Sequence, residues 1–562
     1  MGWGVKSVIR LYGGMLHRTF EAETEKPRQT QQALLASLLR RNTDAVFGRE
    51  HGFATIRNEN EYRKRIAIQD YESLRPYIHK IMAGGRAVLT REPTLRFNLT
   101  SGTTGEPKYI PVTRESLQDS TRLMALWFYR ALRDHPAMVD HSSVIITSPS
   151  VEGYTSGGIV YGSASGLAYE QLPRVLQSSC AIPRVVSQIK NYDYRYFVLA
   201  RLALGRRVSF FATPNPSTLL RLAEIIAHNQ DTLIRAVHDG KLGDISCAIE
   251  PEEQARITSS LEHTLKPDPG RAHFLSLVSE NRDTLRLRNY WPDLQLVACW
   301  LGGSLGFHAQ KLHELLGSTL ALRDPGYQAS EGTFTLPDKD HTPAGILAVG
   351  SNYYEFIPEK EADQKDPHTL TCDELEEGKR YAILLTTPGG LYRYHINDIV
   401  EVTGWYRNAP LLAFVRKGRD MANITGEKMH VNHLIAAMNT LGNECKIAIR
   451  QFRAIPNIEK SRYDVYMELS YNVPFDFVRD ALISKLDTAL ATQNIEYRQK
   501  RMSKRLNPPC IYLMKEGWEQ AIRREFLTSG RRDAQYKWRA LLPEPETLDH
   551  EFIRHRVEAG PT

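Results

Sequence analysis

A short loop rich in glycine and hydroxyl side chains is the strongest chemical feature of the sequence. It lies between two runs typical of strands and comprises Thr100, Ser101, Gly102, Thr103, Thr104, Gly105, Glu106, Pro107 and Lys108. Glycine lets the backbone approach an anion, while hydroxyl and N–H groups donate to phosphate oxygens and a lysine adds positive charge. It is not a Walker A loop, because Pro107 stands where a glycine must precede the lysine, and Tyr109 where a serine or threonine must follow. The pattern therefore indicates a phosphate-binding loop or a polar hairpin turn.

Two later segments place an acid a short distance after a tyrosine. The first reads Tyr-Gln-Ala-Ser-Glu and ends at Glu331; the second reads Tyr-Arg-Tyr-His-Ile-Asn-Asp and ends at Asp398. Glu331 offers a carboxylate to Mg²⁺, which takes carboxylate and phosphate oxygens. Asp398 has two oxygens that can accept hydrogen bonds from the hydroxyls of a ribose. Taken alone, Glu331 is also consistent with a solvated loop acid, and Asp398 with a turn-capping aspartate.

In this order, the three segments resemble the phosphate loop and two further motifs of the adenylate-forming superfamily, which includes acyl-CoA synthetases and luciferases. Nearly the whole chain resembles the auxin-responsive Gretchen Hagen family of acyl-acid amido synthetases. Supporting matches are Asn215–Leu220, Tyr354–Pro358, Leu391–Tyr394 and Gln535–Lys537. The resemblance implies a ligase that uses ATP and Mg²⁺ to convert a carboxylic acid into an acyl-adenylate. It further implies transfer of the acyl group to an amino acid.

The resemblance also implies roles for single residues. Lys537 is the candidate catalytic lysine, and Glu331 the candidate metal ligand that orients the α-phosphate. Tyr327 is expected to face adenine, and Arg419 and Lys428 to lie in a hinge that contacts ribose. The implied nucleotide-binding residues are Thr100, Ser101, Gly102, Thr103, Thr104, Lys108, Gly303, Ser304, Tyr327, Ser330, Asp398, Arg419 and Lys428.

Three positions depart from the family pattern. Asn397 stands where the motif has glycine, His395 where arginine is frequent, and Trp538 follows the candidate lysine in place of proline. Asparagine tolerates the left-handed backbone that glycine would adopt, so we expect the turn at Asn397 to survive. The departures leave open a non-catalytic nucleotide-binding protein.

Two other activities are also open. A thiol such as coenzyme A is a chemically sensible acceptor for the same acyl-adenylate. The run Gly302–Gly306 satisfies the G-x-S-x-G pattern of a nucleophile elbow with Ser304 as nucleophile, and it follows the apolar run 294–301. A serine hydrolase would cleave esters without ATP and would lose that activity in Ser304→Ala.

The chain of 562 residues is too long for one compact domain. Helix-like and strand-like runs alternate, which predicts an α/β class with β-sheets flanked by helices. Three short β-like runs, 381–387, 399–403 and 412–415, predict a β-rich subdomain. We expect a large nucleotide- and acyl-substrate-binding domain over residues 1–417, a hinge over 418–429 and a small mobile α+β domain over 430–562.

Composition excludes several classes of protein. A net charge of +7, from 72 Lys and Arg against 65 Asp and Glu, is no nucleic-acid footprint on a chain of this size. No apolar run is long enough to span a bilayer, and the six cysteines lack the spacing of a zinc site. We therefore expect a cytoplasmic protein with reduced thiols and small-molecule substrates. The sequence carries no signal of oligomeric state or of which acid is used.

Overall fold

The computed structural model describes residues 3–100, 107–172, 174–244, 249–280, 287–303, 309, 312–313, 315–317, 319–362, 364, 366–418, 421–469, 478–528 and 538–559. The chain divides into two compact units. The first holds Met1–Thr100 and Lys108–Arg416, and the second holds Ser101–Pro107 and Lys417–Thr562. The boundary between units thus lies at Arg416 and Lys417, one residue before the predicted hinge, and the hinge itself stays a prediction.

The first unit contains a parallel sheet. Its strands are Ser142–Ile145, Val208–Ala212, Leu296–Ala298 and Ala321–Arg323, in that spatial order. Side chains of the middle strands are almost all buried, as expected where helices cover both faces. The surrounding core draws on several helices, among them Tyr192–Leu204, Pro216–His228, Gln230–Asp239, Pro251–Leu261 and Pro269–Glu280.

Two further sheets complete the strand framework of this unit. A six-stranded sheet has the order Thr335–Pro337, Gly345–Leu347, Ala409–Lys417, Tyr394–Tyr406, Arg380–Thr386 and Tyr353–Pro358. A four-stranded sheet has the order Lys108–Val112, Arg96–Thr100, Val160–Gly162 and Gly153–Tyr154. The strand pair Gln328–Ala329 and Gly332–Thr333 forms a separate small hairpin. The predicted β-rich segment is confirmed by the last three strands of the six-stranded sheet in chain order.

The remaining helices of this unit include Trp3–Glu25, Pro27–Arg41, Val46–Glu50, Glu59–Arg65, Tyr71–Met82, Arg114–Asp134, Ala164–Gln171, Arg174–Ser178 and Leu287–Tyr290. Arg114–Asp134 is a helix of 21 residues. Its start is set by Thr113, whose hydroxyl accepts a hydrogen bond from the Ser116 N–H, as N-cap residues do.

The second unit is a small α+β body. Its four-stranded sheet has the order Ile449–Asn457, Arg462–Leu469, Cys510–Met514 and Ile553–Val557, and a short ladder joins Met421–Ala422 to Met429–His430. Its helices are Val431–Cys445, Ile483–Gln493, Ile495–Met502, Trp518–Thr528 and Thr547–Glu551. Val478–Leu482 is a π-helical turn, and the regular helix begins at Ile483.

Within the described ranges, no helix has both the length and the apolar character needed to cross a membrane. Cys180, Cys299, Cys372, Cys445 and Cys510 carry free thiols, in agreement with the predicted reduced state; Cys247 lies outside the described residues. The cytoplasmic location stays a prediction.

Candidate functional site

Glu331 lies in a two-residue turn that a short hairpin holds in place. The hairpin pairs Ala329 with Gly332 and Gln328 with Thr333, so that Ser330 and Glu331 form its turn. The amide nitrogen of Asn98, on the strand Arg96–Thr100, donates to the Ser330 carbonyl at 2.9 Å. Two predicted site residues are therefore positioned by a side chain from a distant strand, which the sequence motifs did not mark.

The polar atoms around this turn suit a hard cation. Oε2 of Glu331 and Oδ1 of Asn98 are both buried, and neither has a hydrogen-bond partner among the described residues. Both side chains line the same cleft. A buried acceptor without a partner is costly, and carboxylate and amide oxygens are ligands that Mg²⁺ accepts. Because the described residues hold no cluster of three or more His, Cys, Asp or Glu arranged for a metal, phosphate and water oxygens would have to complete the coordination.

Asp398 lies on a bulge in the six-stranded sheet. Ala382 pairs with Ile399 and Leu384 with His395, so that Ile383 faces the three residues 396–398. Extra residues in one strand bend the ladder and redirect side chains, and such bulges are frequent beside active sites. The bulge thus explains how Asp398 leaves the regular alternation of its strand.

Asp398 and Tyr327 are in direct contact. The Tyr327 hydroxyl donates to Oδ2 of Asp398 at 2.6 Å, and the Asp398 side chain is almost fully buried. Burial and then the Asp398 carboxylate raise the pKa of Tyr327 well above its ordinary value, so the phenol stays protonated and remains a donor. Glu331 also raises the pKa of this phenol, which places both predicted acids within electrostatic range of one side chain.

The turn that precedes Asp398 has the backbone expected of glycine. Asn397 adopts φ of +61°, and its N–H donates to Nδ1 of His395 at 3.0 Å. The expectation that asparagine preserves the left-handed turn is confirmed. His395, the second departure, stabilises that turn by accepting this hydrogen bond.

Asn397→Gly is expected to retain the melting temperature better than Asn397→Ala. A β-carbon without a local polar contact costs about 1–2 kcal/mol in the left-handed region, whereas glycine adopts it freely. Thermal unfolding of both variants and the parent tests this order. Equal melting temperatures for the alanine and glycine variants would contradict the role of the turn.

Arg393 anchors the same segment from inside. Its guanidinium donates to both oxygens of Glu355 at 2.9 and 3.0 Å and to the carbonyl oxygens of Arg63 and Ile66. Both members of the ion pair are buried. The arginine of the Tyr-Arg pair is therefore engaged within the protein, where it fixes the backbone that leads into the bulge.

Gly303 and Tyr327 both lie next to the aromatic ring of Phe414. Gly303 has φ of +58°, and a β-carbon there would lie 2.8 Å from the Phe414 ring. The Tyr327 ring lies 5.7 Å from the same Phe414 ring, centroid to centroid. The close approach requires glycine, and it brings another predicted residue beside Tyr327.

Asp324 ties the two loops of this region together. Its carboxylate accepts from the N–H of Leu301 and from the N–H of Gly326, each at 2.7 Å. Burial raises its pKa to about 7, although the two N–H donors oppose that shift. Asp324 thus positions the turns that carry Gly303 and Tyr327, a role with no signal in the sequence pattern.

The predicted phosphate loop is described only at its ends. Thr100 ends one strand and Lys108 begins the next, and the two residues are paired across the antiparallel ladder. The strand–loop–strand expectation is confirmed for these strands. Ser101, Gly102, Thr103 and Thr104 lie outside the described residues, as do Ser304, Arg419 and Lys537.

Lys428 belongs to the second unit. Its N–H donates to Glu496 at 2.9 Å, and its carbonyl accepts from Asn494 at 2.8 Å. The preceding Glu427 is fully buried and accepts from the N–H groups of Ile424 and Thr425. The backbone around Lys428 is therefore well anchored within its own unit.

The segment after Lys537 is held by a buried arginine. Trp538 donates through its indole to the Phe452 carbonyl at 2.7 Å, and its ring lies 4.5 Å from the Arg453 guanidinium carbon. Arg453 also donates to the Arg539 carbonyl at 3.1 Å and pairs with Asp549. The tryptophan that departs from the family pattern therefore has a structural role at this point.

Comparison with known proteins places these features in a family. Residues 16–321 match the GH3 family N-terminal domain, residues 345–417 the central domain and residues 432–546 the C-terminal domain. The rice protein jasmonoyl–L-amino acid synthetase GH3.5 is 25% identical over 558 residues, covering 92% of this chain and 93% of its own length. The Arabidopsis thaliana indole-3-acetic acid-amido synthetase GH3.3 is 23% identical over 550 residues, covering 92% and 90%.

The fold has a solved counterpart. The structure of AtGH3.15 acyl acid amido synthetase in complex with 2,4-DB covers 97% of this chain and 97% of its own, with a TM-score of 0.65 and 19% identity. This likeness confirms the predicted α/β fold class. Because the three domain matches follow one another in order and together span most of the sequence, the chain belongs to the GH3 family.

Proposed function

We propose that the chain is an ATP-dependent acyl-acid amido synthetase, which adenylates a carboxylic acid and transfers the acyl group to an amino acid. The observation that carries the proposal is the pair of buried, unpartnered oxygens of Glu331 and Asn98, which face one cleft beside the Tyr327–Asp398 contact. A nucleoside triphosphate needs a cation for its phosphates and acceptors for its sugar hydroxyls, and this region offers both. Family membership and the activities named for its relatives support the same reaction.

In the first half-reaction, a carboxylate oxygen of the acid attacks the α-phosphorus of ATP, and pyrophosphate leaves. Mg²⁺, when bound, would neutralise phosphate charge and orient the α-phosphate. Glu331 and Asn98 would hold it, and Asp398 would accept hydrogen bonds from the ribose. Tyr327 keeps the Asp398 carboxylate oriented by its hydrogen bond at 2.6 Å, so little reorganisation is needed when nucleotide binds.

Lys537 is our candidate for stabilising the charge that builds on the α-phosphate, delivered by closure of the C-terminal domain. The loop from Thr100 to Lys108 would hold the phosphates. In the second half-reaction the amine nitrogen attacks the acyl carbon, the C–O bond to AMP breaks, and the nitrogen loses a proton. We also propose that this chemistry takes place in the cytoplasm.

Pyrophosphate release in the presence of ATP, Mg²⁺ and a broad panel of carboxylic acids tests the proposal directly. We expect acid-dependent release, followed by formation of an amide and AMP when amino acids are added. Mass spectrometry of products with amino acids or with coenzyme A distinguishes an amido synthetase from a thiol ligase. ATP-independent ester cleavage, or folded protein that binds ATP but reacts with no acid, would overturn the proposal.

A further inference from the structure

A small cleft opens beside the Ser330–Glu331 turn. One wall is the helix Arg114–Asp134, which contributes Ser116, Leu117, Asp119, Ser120 and Leu123. Apolar side chains from other elements, such as Val112 and Leu167, line it as well. Because the cleft begins at the turn where adenylation is proposed, it is the place where the rest of the acid would lie.

The cleft has an unusual balance of charge for a site that takes an anionic acid. Two acids, Glu331 and Asp119, line it, and among its described lining residues none is lysine, arginine or histidine. Asp119 offers no positive charge to a substrate carboxylate, so the reacting end belongs beside Glu331, where a cation compensates the charge. Asp119 is then left to face the distal part of the acid.

The described residues give the Asp119 carboxylate few close hydrogen-bond or ion-pair partners. Its described ion-pair partner is Arg122, whose Nε lies 3.6 Å away. The guanidinium of Arg122 is already engaged by both oxygens of Glu23, at 3.0 and 3.1 Å, and by Ser351 at 3.1 Å. The Asp119 side chain is nevertheless only 24% exposed. A purely structural role would call for better hydrogen-bond partners than these.

The electrostatics of Asp119 point the same way. Burial raises its pKa to about 7, Arg122 and Arg41 lower it, and Glu115 and Glu23 raise it. Desolvation of this carboxyl is therefore not offset by the groups around it. Strongly shifted acids in clefts are frequent at binding sites, because a ligand supplies the missing partner.

We propose that the acid adenylated by this chain carries a hydrogen-bond donor, a hydroxyl or an amine, at the end remote from its carboxylate, and that Asp119 accepts from that donor. The inference rests on the proposed function and narrows it to a substrate class. The neighbouring Ser120 hydroxyl, on the same helix turn, supplies a second polar contact in the cleft. Leucine side chains around these groups accommodate the carbon chain between the two polar ends.

Matched acids test the proposal. Straight-chain acids of increasing length are compared as unsubstituted, ω-hydroxy and ω-amino compounds, with kcat/KM for pyrophosphate release as the readout. At the best length we expect the donor-bearing acid to exceed the unsubstituted one by about tenfold or more, because an unmet buried acceptor penalises the apolar compound. In Asp119→Leu the preference should reverse in favour of the unsubstituted acid.

Two further variants separate recognition from folding and from general charge effects. Asp119→Asn preserves the shape of the side chain, so it should keep the preference for ω-hydroxy acids. It should lose the preference for ω-amino acids, because the negative charge is gone. Glu401→Gln removes an acid that pairs with Arg380 on the six-stranded sheet and does not line the cleft, and its acid preference should equal that of the parent. Melting temperatures establish that each variant is folded.

The outcomes distinguish the inference from the function on which it rests. If no acid in the panel releases pyrophosphate, the proposed function fails. If acids react but the donor makes no difference, if Asp119→Leu keeps the parent's preference, or if Asp119→Asn keeps the preference for amines, the function stands and the role of Asp119 is overturned.

Discussion

Glu331→Gln is expected to lower the maximal rate of acid-dependent pyrophosphate release by about 100- to 1,000-fold, the usual loss when one group that stabilises transition-state charge is removed. Glutamine preserves the size and one acceptor oxygen, but it removes the negative charge from the buried Oε2, which has no hydrogen-bond partner among the described residues. A metal ligand, unlike a structural acid, should also set the metal requirement. We therefore expect the Mg²⁺ concentration for half-maximal activity to rise in the variant.

The measurement is a titration of pyrophosphate release against Mg²⁺ at saturating ATP and acid. Glu401→Gln is a matched control, because Glu401 pairs with Arg380 on the six-stranded sheet and does not line the cleft. It should leave both the rate and the Mg²⁺ dependence unchanged. A Glu331 variant that loses rate with an unaltered Mg²⁺ dependence would show that the residue does not hold the metal.

The parts of the site that sequence predicted are those whose chemistry is local. Ser330 and Glu331 share one turn, and Asn397 is marked by a backbone conformation that few residue types adopt. Such features leave a residue pattern at fixed spacing, so they can be recognised without coordinates. The strand pair around the predicted phosphate loop was predictable for the same reason.

The supporting residues could not be predicted, because their partners are distant in sequence. Asn98 reaches Ser330 across 232 positions, and Glu355 reaches Arg393 across 38. An asparagine within a strand or an acid within a buried strand carries no local sign of such a contact. The sheet bulge that redirects Asp398 is likewise a property of two paired strands and not of either one.

The departures from the family pattern weigh little towards a decayed site. Asn397 and His395 complete one turn by a hydrogen bond of 3.0 Å, and Trp538 packs against the buried side chains of Arg453 and Trp518. In each case the replacement makes a specific interaction where a neutral loss of function would leave none. These residues therefore preserve the turn before Asp398 and the contacts of the segment after Lys537 with side chains that differ from the family pattern.

Asp398→Ala is expected to raise KM for ATP by about tenfold to a few hundredfold, since each charge-assisted hydrogen bond contributes roughly 1.5–3 kcal/mol. Part of the effect should come from destabilisation of the folded protein and not from a lost contact with ATP. Removing the carboxylate leaves the buried Tyr327 hydroxyl without the acceptor that it now has at 2.6 Å. Tyr327→Phe removes the orphaned hydroxyl, so in the double variant the two losses should not add.

The double-mutant cycle compares KM for ATP and melting temperature in the parent, the two single variants and the double variant. If Asp398 binds ribose, Asp398→Ala raises KM for ATP whether or not the Tyr327 hydroxyl is present. Adding Tyr327→Phe then restores part of the melting temperature that Asp398→Ala lost. If the aspartate only stabilises Tyr327, the double variant should recover both quantities together. That second pattern would remove Asp398 from the nucleotide site, because its effect would then pass entirely through the tyrosine.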